Sequence, residues 1–273
     1  YARRRATGYD ASMKRWAALS ILALLAGGGA CERPRPRQPV PPNPAVIFNP
    51  IVVENEIPGD DGWFVPYPQW AMDHEVEGYT DKPSYAAGET VQVKVSAKSS
   101  PVAWTLYRTG WYGGVGARQL AAGKTHASRQ PMPPTSTWDV PCEPNWPTTF
   151  TIDVAPGWVS GVYALKLTAD GNASMLTFVV RDDRRHADLV FSRSDFTDAM
   201  YNNWDGADER SSWYGDHPQW VSLDRVMRSP AGWLYPYSGG YFTYEYSMVR
   251  FLEREGYDVT YLSNLDVHEN PHA

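Results

Sequence analysis

The chain has 273 residues, 25 Lys and Arg against 31 Asp and Glu, and a formal net charge of −6. That length holds one large or two ordinary domains, and the acidic balance argues against a nucleic-acid surface, which needs a basic patch. Two cysteines are too few for a disulfide scaffold or a cysteine-only zinc site. The aromatic residues, 12 Trp and 17 Tyr against 8 Phe, are skewed toward rings that carry a polar atom.

Arg3, Arg4, Arg5, Lys14 and Arg15 crowd the start of the chain, so the acidic excess falls on the remainder. Met13-Lys14-Arg15, the apolar run from Trp16 to Ala26 and Gly27-Gly28-Gly29-Ala30 have the three parts of a secretory signal over residues 1–31. The run is too short to span a bilayer, which takes about 20 apolar residues. Ending at Cys31, it resembles a bacterial lipoprotein signal whose cysteine is lipidated, with Gly28 where such signals usually carry Leu. An ordinary cleaved signal is the alternative. Residues 1–12 precede a plausible start at Met13. The expectation is an exported protein, either an envelope lipoprotein held to the membrane only by its lipid or a periplasmic or extracellular protein. Residues 32–69 read as a proline-rich linker and approach segment, in which the six prolines from Pro34 to Pro44 favour an extended polyproline II spacer. Cys142 is left as a lone thiol.

Residues 70–183 read as a first domain. Val91, Val93 and Val95 alternate with polar neighbours, as do Phe150, Ile152 and Val154, and the runs Val162 to Leu167 and Leu176 to Val180 follow. Pro83, Gly88, Pro101, Pro156-Gly157 and Asp170-Gly171 punctuate them. This pattern predicts an antiparallel β-sandwich of immunoglobulin-like type, without the cysteine pair of antibody domains. The segment Arg108-Thr109-Gly110-Trp111-Tyr112-Gly113-Gly114-Val115-Gly116 lacks the third glycine and the βαβ setting of a dinucleotide loop. It reads either as a wide turn that needs positive φ at its glycines or as a substrate contact.

Residues 184–273 change grammar. Ala187 to Phe191 predicts a short buried strand. A helix from Tyr244 to Glu255 follows, with Met248, Val249 and Leu252 on its apolar face and Gly256 as its cap. Asp258 to Leu262 predicts a second strand. Strand, helix, strand is the opening of an α/β domain with a parallel sheet, in which ligands gather at the carboxyl ends of the strands. Two strands cannot make a sheet covered on both faces, so the α/β domain reads as incomplete within this sequence.

Several chemistries are excluded or weakened. No G-x-S-x-G elbow and no phosphate-binding loop occurs. His268-Glu269-Asn270-Pro271-His272 spells a zinc-protease motif, yet Pro271 should push Asn270 out of the α region and block the helix that motif requires. Asp266 and His268 stay open as polar site residues or as a solvated loop start. After the first strand comes Tyr201-Asn202-Asn203-Trp204-Asp205-Gly206. Asn202 and Asn203 can orient a carbonyl substrate, and Tyr201 can move a proton or ligate a hard metal as phenolate. A second aromatic group, Tyr235, Tyr237, Tyr241, Phe242, Tyr244 and Tyr246, leads into the helix.

The segments Glu77-Gly78-Tyr79-Thr80-Asp81-Lys82-Pro83, Tyr107-Arg108-Thr109-Gly110-Trp111-Tyr112-Gly113-Gly114, Phe178-Val179-Val180-Arg181-Asp182-Asp183, Ala199-Met200-Tyr201-Asn202-Asn203-Trp204 and Leu252-Glu253-Arg254-Glu255-Gly256-Tyr257-Asp258-Val259, with Asp266-Val267-His268, resemble the large (β) subunit of N,N-dimethylformamidase and its relatives. The resemblance covers roughly residues 70–273. It implies a β-sandwich followed by a glutamine-amidotransferase-like α/β domain, and hydrolysis of a small amide at an iron ion (Fe3+) held by two tyrosines and one glutamate. By that resemblance Tyr201 is one ligand, Tyr241 or Tyr244 the other, and the glutamate belongs to a motif expected after Asp266-Val267-His268, past Ala273. Asp205 stands where the family commonly has glycine. The rival expectation is a non-catalytic, envelope-anchored binding protein that uses its sandwich.

Overall fold

The computed structural model describes residues 48–204, 220–228 and 240–270. The signal with Cys31, the prolines of residues 34–44, Asp205, Gly206, Tyr235, Tyr237 and His272 lie outside the described residues. In chain order the described strands are β1 (Val76–Thr80), β2 (Ser84–Ala86), β3 (Thr90–Ala97), β4 (Val102–Thr109), β5 (Ala117–Thr125), β6 (Phe150–Asp153), β7 (Gly161–Ala169), β8 (Asn172–Arg181), β9 (Leu189–Arg193) and β10 (Val259–Ser263). The described α-helices are α1 (Pro50–Asn55), α2 (Asp195–Tyr201), α3 (Tyr246–Arg254) and α4 (Asn264–Glu269). The described residues are therefore β-rich, with three sheets and few, short helices.

The alternation of Val91, Val93 and Val95 has the expected cause: all three are fully buried on one face of β3. β3 is the middle of an antiparallel sheet ordered β1-β3-β6. Its apolar face meets Leu106 of β4, Tyr163, Leu165 and Leu167 of β7, and Leu176, Phe178 and Val180 of β8 in one core. Those partners belong to a five-stranded sheet ordered β2-β8-β7-β4-β5. It is antiparallel except for the β2–β8 pair. Asp170 and Gly171 join β7 to β8 with φ of 48° and 80°, the two positive values of a type I′ hairpin turn.

The five-stranded sheet is buried on its other face too. Val162 and Ala164 of β7 and Met175 and Val179 of β8 form a second core with Trp63, Val65, Tyr241, Phe242, Tyr246, Val249, Val259 and Tyr261. Residues 48–69, in the predicted linker and approach segment, thus supply Ile51, Trp63 and Val65 to a packed interior. Phe48–Ala273 form one compact unit.

β9 and β10 pair in parallel, Leu189 opposite Val259 through Arg193 opposite Ser263. The predicted helix appears as a π-helical turn, Tyr241–Glu245, running into α3, and it ends before Gly256. Its buried face is Tyr246, Val249 and Glu253, whereas Met248 is exposed. The apolar-face reading missed this because position 253 is charged and still faces inward. Glu253 receives Arg108 of β4 in a two-pronged ion pair, Nη1–Oε2 3.0 Å and Nη2–Oε1 2.8 Å, with both side chains fully buried. Tyr261 Oη and Asn55 Nδ2 also donate to that carboxylate, at 2.9 and 2.8 Å. Gly110 lies so close that an added Cβ would overlap Glu253 Oε2. The glycine-rich loop after β4 does take positive φ, 64° at Gly113, 99° at Gly114 and 101° at Gly116. It is a socket for helices: Asn55 Oδ1 accepts from the N–H groups of Trp111 and Tyr112, Tyr246 Oη donates to Gly116 O, and Arg250 donates to Gly114 O.

Candidate functional site

A parallel strand that runs straight into a helix leaves its carboxyl end as the natural place for polar side chains. β9 ends in Arg193, and α2 begins two residues later at Asp195. The Arg193 guanidinium is buried and donates in three directions: to Thr177 Oγ1 (2.8 Å), to Asp198 Oδ2 (2.9 Å) and to Glu245 Oε2 (3.2 Å). Asp195 Oδ1 sits 3.6 Å away, paired by charge but too far for a hydrogen bond. The ring of Tyr241 lies against the same guanidinium, 5.1 Å from its centroid.

This group holds more negative than positive charge in a largely buried place, and the acidities follow from it. Burial, reinforced by Glu245 and Asp195 and opposed by Arg193, pushes the Asp198 carboxyl up to about 6. Burial also raises Asp195 above the usual carboxylate range, against the pull of Arg193. Burial disfavours the Arg193 charge, but the three carboxylates outweigh it and hold the guanidinium charged.

The Tyr201–Trp204 stretch alternates between inside and outside. Asn202 is fully buried; its Nδ2 donates to Val226 O (2.8 Å), and its Oδ1 accepts from Trp204 N (3.0 Å) and Arg228 N (2.9 Å). Trp204 is fully buried too, and its indole N–H donates to Glu77 Oε2 at 2.9 Å. These two side chains anchor the segment to β1 and to residues 225–228. Tyr201 is 39 % exposed, and Asn203 Oδ1 is a buried acceptor with no hydrogen-bond partner. Of the four, Tyr201 is the one with an exposed side chain.

The two later tyrosines are separated by burial. Tyr241 is fully buried, its hydroxyl 2.6 Å from Thr109 Oγ1, and burial holds its phenol far above the ordinary range. Tyr244 is 69 % exposed. A hard metal ion takes a deprotonated phenol. Tyr201 and Tyr244 are open to solvent, and Tyr241 is packed inside. Among the described residues no group of three or more His, Cys, Asp or Glu side chains is arranged to hold a metal ion.

Asp266 and His268 fall on the short helix α4 rather than on a loop. Asp266 Oδ1 accepts from Ser84 Oγ (2.6 Å) and Arg181 Nη1 (2.9 Å), and its Oδ2 accepts from Ser263 N (2.7 Å). It closes a capping box with Ser263 and ties α4 to the five-stranded sheet. His268 is exposed, its ring edge-on to Phe196 at 6.2 Å. α4 ends at Glu269, and Asn270 has φ −138° and ψ 79°, so the residue before Pro271 leaves the α region as expected.

Arg193, Asp195, Asp198 and Glu245 were not singled out by sequence. β9 is exposed at Leu189 and Val190 and not the buried strand the apolar run predicts, and its one buried side chain is the charged Arg193, a signal visible only once the strand end is known. No described helix is long and apolar enough to cross a membrane.

The profile of a family described as N,N-dimethylformamidase beta subunit-like, C-terminal, matches residues 103–273. No curated protein matches the chain by sequence. Among solved structures, domain 1 of VCBP3 from Branchiostoma floridae is 9% identical, covering 41% of this chain and 98% of its own, with a TM-score of 0.25. Two variants of superoxide reductase (neelaredoxin) from Ignicoccus hospitalis are 13% and 14% identical. They cover 39% of this chain and 81% and 78% of their own, with TM-scores of 0.23 and 0.22. Scores this low carry no argument about fold or activity.

Proposed function

Because the chain belongs to the N,N-dimethylformamidase beta subunit-like C-terminal family, we propose that it serves an amide hydrolase, cleaving the C–N bond of a small amide at an iron ion in the full-length protein. The family match over residues 103–273 carries this reading. The exposed phenols of Tyr201 and Tyr244, on the two segments that flank the carboxyl end of β9, support it. They are the described side chains that would hold the iron, with a carboxylate supplied from outside the described residues. A ferric ion there supplies a hard Lewis acid for an amide carbonyl. Asn202 and Trp204 hold Tyr201 in place through their buried hydrogen bonds.

The same proposal takes the paired sheets as an immunoglobulin-like sandwich and β9, α3 and β10 as the opening of a glutamine-amidotransferase-like α/β domain. It also takes the protein as exported, with Cys31 lipidated, which a thioether-linked diacylglycerol on that residue would establish.

The test is the colour and iron content of the full-length protein grown with ample iron. Bound iron and a visible phenolate-to-iron band are expected. Tyr201→Phe and Tyr244→Phe should abolish the band, and Tyr241→Phe should leave it. A colourless, iron-free wild type, or a band indifferent to Tyr201→Phe, overturns the reading.

A further inference from the structure

Tyr201 and Tyr244, both open to solvent, stand on segments far apart in the chain. Tyr201 ends α2, and Tyr244 lies in the π-helical turn Tyr241–Glu245, where Tyr246 N reaches back five residues to Tyr241 O in the wide turn that recurs at functional sites. Both segments are fastened to one buried guanidinium. Each nitrogen of Arg193 serves a different element: Nη1 donates to Thr177 of β8, Nη2 to Asp198 of α2, and Nε to Glu245 of the π-helical turn. Asp198 precedes Tyr201 by three residues, which puts the two on one face of the helix. Glu245 directly follows Tyr244, and its other oxygen accepts from Ser194 N at 2.8 Å, so the turn is also held to the backbone that enters α2. The two segments meet at Gly240, where a Cβ would overlap both Asp198 Oδ1 and the Tyr244 ring. Thr177 belongs to the five-stranded sheet, so the arginine references both segments to a rigid element.

We propose that Arg193 is a positioning residue that fixes the spacing between Tyr201 and Tyr244, acting through Asp198 and Glu245. The use made of that spacing rests on the reading of the two phenols as iron ligands; the spacing itself rests on the clamp alone. Arg108 shows that one carboxylate is enough to fasten one element to a buried arginine. Arg193 holds two elements, and each phenol-bearing segment brings its own carboxylate. The side chain has to be arginine, because only a planar fork has donors fixed in three directions, whereas a lysine ammonium is a point charge on a flexible stem. Two side chains that share a ligand gain from being set beforehand, since their separation then need not be found at binding.

The experiment attaches a nitroxide at each position of a full chain carrying Tyr201→Cys and Tyr244→Cys, with Cys31→Ser and Cys142→Ala removing the native thiols. Electron paramagnetic resonance then reads the distance distribution between the labels. One narrow distance is expected. Arg193→Lys, which keeps the charge, and Glu245→Gln, which keeps the size and lessens the negative excess, should each broaden it. Tyr261→Phe, which takes a bond from the Arg108–Glu253 pair, should leave it narrow. A broad distribution without any clamp variant, one that stays narrow in either clamp variant, or one that broadens as much in Tyr261→Phe overturns the inference. Titration with Fe3+ of the chain that keeps its tyrosines gives a second readout. Both clamp variants should bind the ion about ten- to a hundredfold more weakly than wild type, the usual cost of loosening a residue behind a ligand. Binding as tight in the variants as in wild type also overturns the inference. A wild type that takes up no Fe3+ sinks the amide-hydrolase reading instead, and the clamp is then decided by the nitroxide distances, which involve no metal.

Discussion

Arg108 and Arg193 are both buried arginines, and the protein surrounds them in opposite ways. Arg108 meets one carboxylate, Glu253, with two parallel hydrogen bonds, and Tyr261 and Asn55 complete the acceptors of that carboxylate. Arg193 meets three carboxylates, one of them too distant to bond, with an Asp195 oxygen left over. The first arrangement is closed: charges match and the polar atoms are used. The second carries uncompensated negative charge at the end of a parallel strand. Closed pairs fasten elements together, and an unbalanced buried group is what a site with work to do tends to show.

The contrast can be broken most forcefully at Glu253. Glu253→Gln leaves the Arg108 charge buried without a counter-ion and should cost about 3–5 kcal/mol in a denaturant titration. Replacing both partners by methionine should cost less than that single change, and a Glu253→Gln loss too small to measure would remove the fastener reading.

A smaller effect is expected at Asp198, and its sign is opposite to that of an ordinary salt-bridged aspartate. A carboxyl raised from 3.8 to about 6 on folding favours the native state when protonated, so its contribution is full below the unfolded value and is lost as pH rises through 6. The loss is on the order of 2–3 kcal/mol between about pH 4 and pH 7. Asp198→Asn cannot titrate, so its stability relative to wild type should improve across that window. A constant difference between the two proteins would show that Asp198 ionises normally.

The smallest effect compares two phenols. Tyr241→Phe gives up the bond to Thr109 and should cost about 1 kcal/mol, whereas Tyr244→Phe should leave the thermal midpoint unchanged. Equal costs would contradict their difference in burial.

Much of the fold was legible in the sequence, for reasons that also explain what was missed. The valines of β3 alternate because one face of that strand is solvated, and Asp170-Gly171 announces its hairpin because both residues tolerate positive φ. β5 gave no signal: an edge strand rich in alanine has little periodicity, and its Gly123 lies under the Trp104 ring. α2 gave no helical signal because Asp195, Thr197 and Asp198 are poor helix formers, and two of them, Asp195 and Asp198, are paired with Arg193. The site was legible as residue types but not as roles. Asn202 and Asp266 have the look of catalytic groups, yet their hydrogen bonds go to Val226, Ser84 and Arg181, partners distant in sequence that only folding supplies. Tyr241 and Tyr244 likewise differ in burial, which two tyrosines three positions apart on a helical turn do not reveal.

The five-stranded sheet, apolar on both faces, also had to solve a problem of information. When polar and apolar residues alternate, a strand that slips by one position is punished by exposing its core side. β7 has no such safeguard along Gly161–Leu165, where both faces are buried. It distinguishes its faces by size: Tyr163, Leu165 and Leu167 turn toward the three-stranded sheet, and Val162 and Ala164 turn toward α3 and β10. Opposite them on β8, Phe178 and Leu176 pair with Tyr163 and Leu165, and Val179 pairs with Val162. Volume replaces polarity as the marker of register, so a shift by one residue would press tyrosine and leucine against the helix and leave voids beneath the valines of β3.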